Sequence, residues 1–214
     1  MTVSAIDSPL REDVTRSDLL NEIATKINAK SYLEIGVQTG ATFHRVEVSE
    51  KVGVDPDPTS RASLHITSDF YFDILDENKK FDLIYVDGLH EWQTALRDIK
   101  NAVRHLSENG VIVVDDIAPK RESHQTRKPT HIYWTGDVWI AWLIATTDLR
   151  EEFDLFSVDL AFGQGIIIPK KFGTSKQEKK VDQLPNSMNW KYYEQNHTQF
   201  HNMISFEEFK EIEW

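Results

Sequence analysis

An α/β fold built on a Rossmann-like, doubly wound and mostly parallel sheet is what the 214-residue sequence predicts, and three observations predict it. Short apolar runs alternate with segments of helical period. The run Phe81–Val86 is apolar almost throughout, as a strand covered on both faces requires. Glycine and aspartate turn signals stand at the carboxyl ends of these runs, where open α/β sheets bind their ligands. A chain of this length suits one domain with a tail. The expected division is an N-terminal arm and helix (1–30), a core (31–169), a mobile linker (170–186) and a helical C-terminal tail (187–214).

Residues 1–14 read as a loose polar arm, and Leu19, Leu20, Ile23 and Ile27 mark a helix over Thr15 to Ala29 that lies on the sheet. A strand over Ser31 to Ile35 is followed by the turn Gly36 to Gly40, and Ala41 to Val48 reads as a helix. Lys51 to Val54 forms a second strand that stops at Asp55-Pro56; Leu64 to Thr67 forms a third. Ser68 opens a helix to Leu75, with Asp69 in its first turn, where a carboxylate suits the helix dipole. After Phe81–Val86, the spacing of Trp92, Leu96, Ile99, Val103 and Leu106 predicts a helix from Glu91 to Leu106, with Asn109-Gly110 as its exit turn. Val111 to Val114 is the next strand. Val138 to about Thr147 forms a hydrophobic helix, and Phe153 to Val158 with Ile166 to Ile168 an antiparallel hairpin at the sheet edge. The aromatic tail from Met188 is helical in two pieces, the second opened by a Ser205–Glu208 capping box, and packs on the domain or on a second subunit as a homo-oligomer.

Composition narrows the function. Lys and Arg number 24 against 35 Asp and Glu, and the net charge of −11 argues against a nucleic-acid or anionic-membrane binder. The absence of cysteine removes disulfides, thiolate ligands and thiol nucleophiles. The N-terminus lacks the apolar stretch of a signal peptide, and the longest apolar run, Val138 to Ala145, falls short of the ~20 residues of a membrane helix. A soluble, cytoplasmic protein is expected.

The chemistry concentrates between Phe81 and Asp116. One strand ends in Asp87-Gly88-Leu89-His90 and the next in Asp115-Asp116. Parallel neighbours lie ~5 Å apart, so Asp87 and Asp115 could share a cation, and oxygen ligands suit a hard ion such as Mg²⁺. Upstream, Glu34-Ile35-Gly36-Val37-Gln38-Thr39-Gly40 follows an acid-x-Gly-x-x-x-Gly pattern, and Asp55 ends the second strand where it can bond a ribose diol. The glycines would let a ligand approach the backbone, although they would serve a tight strand-helix turn equally well. In the same way Asp55, Asp69, Asp87 and His90 could be turn and cap residues.

With this ordered set, Ser31 to Pro169 resembles a class I S-adenosylmethionine-dependent methyltransferase. The resemblance implies that Glu34, Gly36 and Gly40 face the methionine and ribose portions of S-adenosylmethionine, that Asp55 takes the ribose hydroxyls and that Asp69 contacts the adenine amino group. Within that superfamily, Asp87-Gly88-Leu89-His90 with Asp115-Asp116 resembles the metal-dependent O-methyltransferases that modify sugar hydroxyls of macrolide and related glycosides. That likeness implies that Asp87, Asp115 and Asp116 hold Mg²⁺ and that His90 is the general base. A helix N-terminus and a nearby cation both favour neutral His90. The expected activity is methyl transfer to a hydroxyl of a sugar, glycan or glycosylated small molecule. Cephalosporin hydroxylase-type proteins resemble the same stretch, so a hydroxylase-like relative is an alternative, as is a non-catalytic cofactor-binding protein.

Three further features complete the reading. Lys120, Arg121, His124, Arg127, Lys128 and His131 form a basic run that would attract a phosphate or carboxylate on the substrate, or would be a solvated loop. Trp134, Trp139 and Trp142 would stack on a sugar or fill the core. His197 and His201 read as surface residues.

Overall fold

The computed structural model describes residues 14–129, 133–170 and 187–213. The expected N-terminal arm, His131 and all of the linker beyond Lys170 lie outside the described residues. Among the described residues the first element is α1 (Arg16–Lys26), capped by Thr15: its hydroxyl accepts from the Asp18 N–H, while the Asp18 carboxylate accepts from the Thr15 N–H. Then follow β1 (Ser31–Ile35), β2 (Glu50–Val54), α2 (Ser68–Ile74), β3 (Phe81–Val86), α3 (Trp92–Arg104) and β4 (Leu106–Val114). The second half contains α4 (Val138–Asp148), β5 (Phe153–Val158), β6 (Gln164–Pro169), α5 (Trp190–His201), β7 (Met203–Ile204) and α6 (Phe206–Lys210).

These form one seven-stranded sheet in the order β2-β1-β3-β4-β6-β5-β7. The first four strands are parallel, and β6 runs antiparallel to both β4 and β5. The pairings Ile35 with Val54 and Val86, and Val86 with Val114, bring the carboxyl ends of β1 to β4 level. Gly36, Asp55, Asp87 and Asp115 therefore leave the sheet side by side.

Two apolar clusters sandwich the sheet because successive strand residues face opposite ways. Leu33, Ile84 and Ile112 pack with α3 and α4, whereas Tyr32, Leu83 and Val111 pack with α1 and Phe209. Helix α4 is buried from Val138 to Ala145, as its all-round apolar surface requires. Trp139 and Trp142 are fully buried core residues.

Several expectations are corrected. Residues 41–48 form turns instead of a helix. Phe43, Val46 and Val48 are buried individually; helical-type bonds from His44 N to Gly40 O and from Val46 N to Thr42 O go no further, because Asn21 of α1 bonds Arg45 O and Glu47 N. The third strand shrinks to a single bridge between Val54 and Leu64. Asn109-Gly110 lies inside β4, which starts directly after α3 and shifts its register against β3 between Phe81 and Leu83. The hairpin is not the sheet edge, because β7 pairs parallel with β5 beyond it. His201 is 1% exposed and not a surface residue; its ring lies 3.3 Å from Ser157 Oγ and 3.4 Å from the Tyr193 hydroxyl.

Candidate active site

A cavity of about 910 Å³ opens over the ends of β1, β2 and β3, lined by Gly36, Asp55, Asp69, Asp87, Gly88 and Arg97 among others. Asp55 reaches it with its carboxylate fixed by two backbone donors, Gln38 N at 2.8 Å and Asp57 N at 2.9 Å. Each oxygen retains a lone pair for a ligand hydroxyl. Asp69 also lines the cavity, but a two-pronged pair with Arg97, at 3.1 and 3.2 Å, engages it. Gln38 and Thr39 line the wall, whereas Glu34 and Gly40 stand behind it. Glu34 is 1% exposed and accepts from the Tyr32 hydroxyl. Burial pushes its carboxyl up to about 8, with the charges of Asp87 and Asp115 adding and the Tyr32 bond opposing.

Gly36 has φ +87°, and a Cβ there would lie 1.8 Å from the Asp87 carbonyl oxygen. The glycine is thus demanded by the chain itself, since the turn after β3 rests directly on the turn after β1. This contact also makes Asp87 a wall of the cavity.

On its other side Asp87 joins an acidic group. Ligand atoms of Asp87, His90 and Asp116 all lie within 4.8 Å of one another. His90 Nε2 is 3.4 Å from Asp87 Oδ1, and its Nδ1 is 3.3 Å from Asp116 Oδ2. Asp116 sits at φ +60°, so the chain turns immediately after Asp115 and both carboxylates point into the same region. Burial first, then the charge of Asp115, raises Asp87 to about 6 and holds Asp116 well above the usual carboxylate range; His90 opposes both shifts. Burial disfavours charge on His90, yet the bond to Asp87 and the charges of Asp116, Asp87 and Asp115 prevail and raise it to about 9. The carboxylates around the ring thus favour the imidazolium, whereas a cation held by them would favour the neutral ring.

Asp115 faces a different set of partners. Arg16 Nε lies 2.7 Å from its Oδ2, while Oδ1 accepts from Gln164 Nε2 and, at 2.8 Å, from the Asp116 N–H. Neither Arg16 nor Gln164 carries a motif. Arg16 occupies the first turn of a helix remote in sequence, and no local signal betrays its destination. Asp116 Oδ1 remains buried without a hydrogen bond among the described residues, 3.7 Å from the Arg16 guanidinium.

The loop after Asp116 covers His90. The Trp134 ring stacks on the imidazole with centroids 4.9 Å apart, its carbonyl lies 3.3 Å from His90 Nδ1, and Asp137 N donates to His90 O. Asp137 Oδ1 accepts from Trp92 N at 2.7 Å and so caps α3, while Oδ2 pairs with Arg127 at 3.0 Å. Arg127 also binds Glu91 at 2.9 Å, and His124 is buried against Phe162. These two members of the basic run thus hold the loop down.

The arrangement of cavity, glycine turn and strand-end carboxylates is that of the class I methyltransferase fold. Residues 33–117 match the family model described as a methyltransferase domain. A putative O-methyltransferase from Klebsiella pneumoniae superposes with a TM-score of 0.57 at 15% identity, over 75% of this chain and 83% of that one. The O-methyltransferase from Bacillus cereus solved with S-adenosylhomocysteine gives 0.55 at 14%, over 75% and 84%. The O-methyltransferase TomG of tomaymycin synthesis from Streptomyces achromogenes, solved with S-adenosylmethionine, gives 0.57 at 15%, over 74% and 82%. No curated protein matches the sequence. Residues 33–117 thus match a methyltransferase domain, and these structures share the chain's class I fold. No helix among the described residues is long and apolar enough to cross a membrane.

Proposed function

We propose that the protein is an S-adenosylmethionine-dependent O-methyltransferase, assisted by Mg²⁺, that acts on a hydroxyl of a sugar, glycan or glycosylated small molecule. The observation that carries this reading is the double membership of Asp87, which lines the nucleotide-sized cavity and belongs to the acidic group with His90 and Asp116. Donor and acceptor halves then meet at one residue. S-adenosylmethionine would lie against Gly36, Gln38 and Asp55, its ribose hydroxyls on Asp55, with Asp69 and Arg97 at the adenine end. The sugar class rests on the pairing of His90 with Asp116.

The fit to a hard cation is uneven across the three aspartates. Asp87 and Asp116 offer carboxylates whose charge the site tolerates poorly, and the unbonded Asp116 Oδ1 lacks a partner that an ion would supply. Asp115 is already engaged by Arg16, Gln164 and its own chain. Asp87 and Asp116 would therefore hold the ion, with Asp115 beside it. A bound divalent ion lowers the pKa of a coordinated hydroxyl.

When bound, S-adenosylmethionine would supply the methyl of its sulfonium to the acceptor oxygen, with the carbon–sulfur electrons going to sulfur and S-adenosylhomocysteine as the leaving product. The hydroxyl proton passes to His90, whose ring Trp134 and Asp87 hold in place. His90 accepts that proton once the charge of its carboxylate neighbours, which favours the imidazolium, is offset.

The test is calorimetry with S-adenosylmethionine, followed by mass spectrometry on a panel of diol sugars and glycosides. Methylated product is expected, lost on chelation and on Asp87→Ala or Asp116→Ala. Failure to bind the cofactor would sink the reading, and transfer indifferent to chelation would remove the metal from it.

A further inference from the structure

Arg16 belongs to no motif, yet it enters the deepest part of the site. Its backbone is fixed by the Thr15–Asp18 capping box, and its side chain, 36% exposed, ends against Asp115 and Asp116, whose side chains are 1% and 6% exposed. Nε takes Asp115 Oδ2 at 2.7 Å and the guanidinium stands 3.7 Å from Asp116 Oδ1. Asp115 Oδ2 meets Arg16 as an ion pair without hydrogen-bond geometry, while Oδ1 already receives Gln164 and the Asp116 N–H. The group whose ligand atoms converge is Asp87, His90 and Asp116, without Asp115.

We propose that Arg16 is a tethered counter-cation that withholds Asp115 from a divalent ion, so that ion binding at Asp87 and Asp116 competes with docking of the α1 N-terminus against the site. This rests on the reading of the cluster as a metal site. Two cations cannot share the same carboxylates without repulsion, and a guanidinium 2.7 Å from Asp115 Oδ2 stands where an ion on that oxygen would have to sit. Arg16 therefore sets how tightly the ion is held. Through α1 it links ion occupancy to the order of the helix that covers one face of the sheet.

The experiment titrates the full chain with Mn²⁺ as the probe, read by electron paramagnetic resonance of the free ion. Arg16→Gln should bind Mn²⁺ at least about tenfold more tightly than the unaltered protein, an electrostatic change of order one pKa-unit equivalent. The charge-matched double variant Arg16→Gln, Asp115→Asn should return to near the original affinity, because the freed ligand is gone. Arg16→Lys, which keeps the charge and loses the guanidinium fork, should fall between and serves if the glutamine variant does not fold. Hydrogen exchange supplies a second readout: saturating Mn²⁺ should speed exchange in α1 of the unaltered protein and leave Arg16→Gln unchanged. Equal, measurable Mn²⁺ affinity in all variants would overturn the role of Arg16 while leaving the metal reading intact. Absence of binding in every variant would overturn both, and S-adenosylmethionine calorimetry on the same samples would still report the methyl-donor half.

Discussion

A Cβ on Gly36 would meet the Asp87 carbonyl oxygen at 1.8 Å, and the backbone there has φ +87°. Gly36→Ala combines left-handed strain, about 1–2 kcal/mol, with overpacking of about 1–3 kcal/mol. Urea denaturation should show a loss of about 2–5 kcal/mol. Unchanged stability with weakened cofactor binding would mean that the glycine serves the ligand and not the chain. His201 gives a second residue-level expectation. Burial, with His197 adding, drives its pKa from 6.5 down to about 3. Above 6.5 the ring is neutral folded and unfolded, so it costs nothing. Below that the unfolded chain takes up a proton that the folded chain refuses until about pH 3, and stability falls across that window. At about 1.4 kcal/mol per pH unit, the penalty reaches about 2 kcal/mol at pH 5. His201→Gln should lack this component when denaturation curves at pH 7 and pH 5 are compared; equal acid sensitivity in both proteins would refute it.

Among the elements, α3 shows how loop and site share one fastening. Its N-cap Glu91 makes no capping bond with its side chain, and Asp137 from the start of α4 caps it instead. The same carboxylate pairs with Arg127. Asp137→Ala should cost about 1–2 kcal/mol in thermal or urea unfolding, from the lost cap and the loosened loop. It should also broaden the His90 imidazole resonances as Trp134 loses its seat; a sharp, unshifted His90 signal would count against the fastening. None of this was legible in the sequence, where Asp137 looks like an ordinary helix opener. β3 and the second half of β4 were legible because burial on both faces leaves uninterrupted apolar runs, and α6 because a capping box is a local pattern with a local partner. Residues 41–48 were not, because Phe43, Val46 and Val48 fit a helical stripe as well as they fit three separate holes filled from a turn. Strand adjacency placed Asp87 near Asp115 in advance, whereas the position of Asp116 depends on a turn at φ +60° that no sequence pattern showed. The Arg16–Asp115 pair depends on how α1 crosses the sheet, which no periodicity encodes.

For the whole molecule, the question is whether the tail is an appendage or part of the core. Phe209 of α6 is 0% exposed and packs against Phe156 of β5 and Phe206, with ring centroids 6.3 Å apart in each case. Lys26 of α1 donates to Lys210 O at 2.7 Å and Ile212 O at 3.1 Å, tying the chain's last helix to its first. β7 adds its backbone bonds to β5, and Tyr193 and Phe200 of α5 cover Trp139 on the other face. The tail thus contributes to both apolar clusters and covers the end of the β5 edge at Ser157 and Val158. Phe209→Ala empties a site whose neighbours are held by a strand on one side and a capped helix on the other, so little collapse can fill it. A loss of about 3–5 kcal/mol is expected, a large share of a domain's usual stability. Because the hole lies beside α1, the loss should appear as one cooperative transition in urea, with tryptophan fluorescence and far-ultraviolet circular dichroism moving together. An early, separate transition of the tail that left the remaining fold at full stability would show α5 to α6 to be an appended unit.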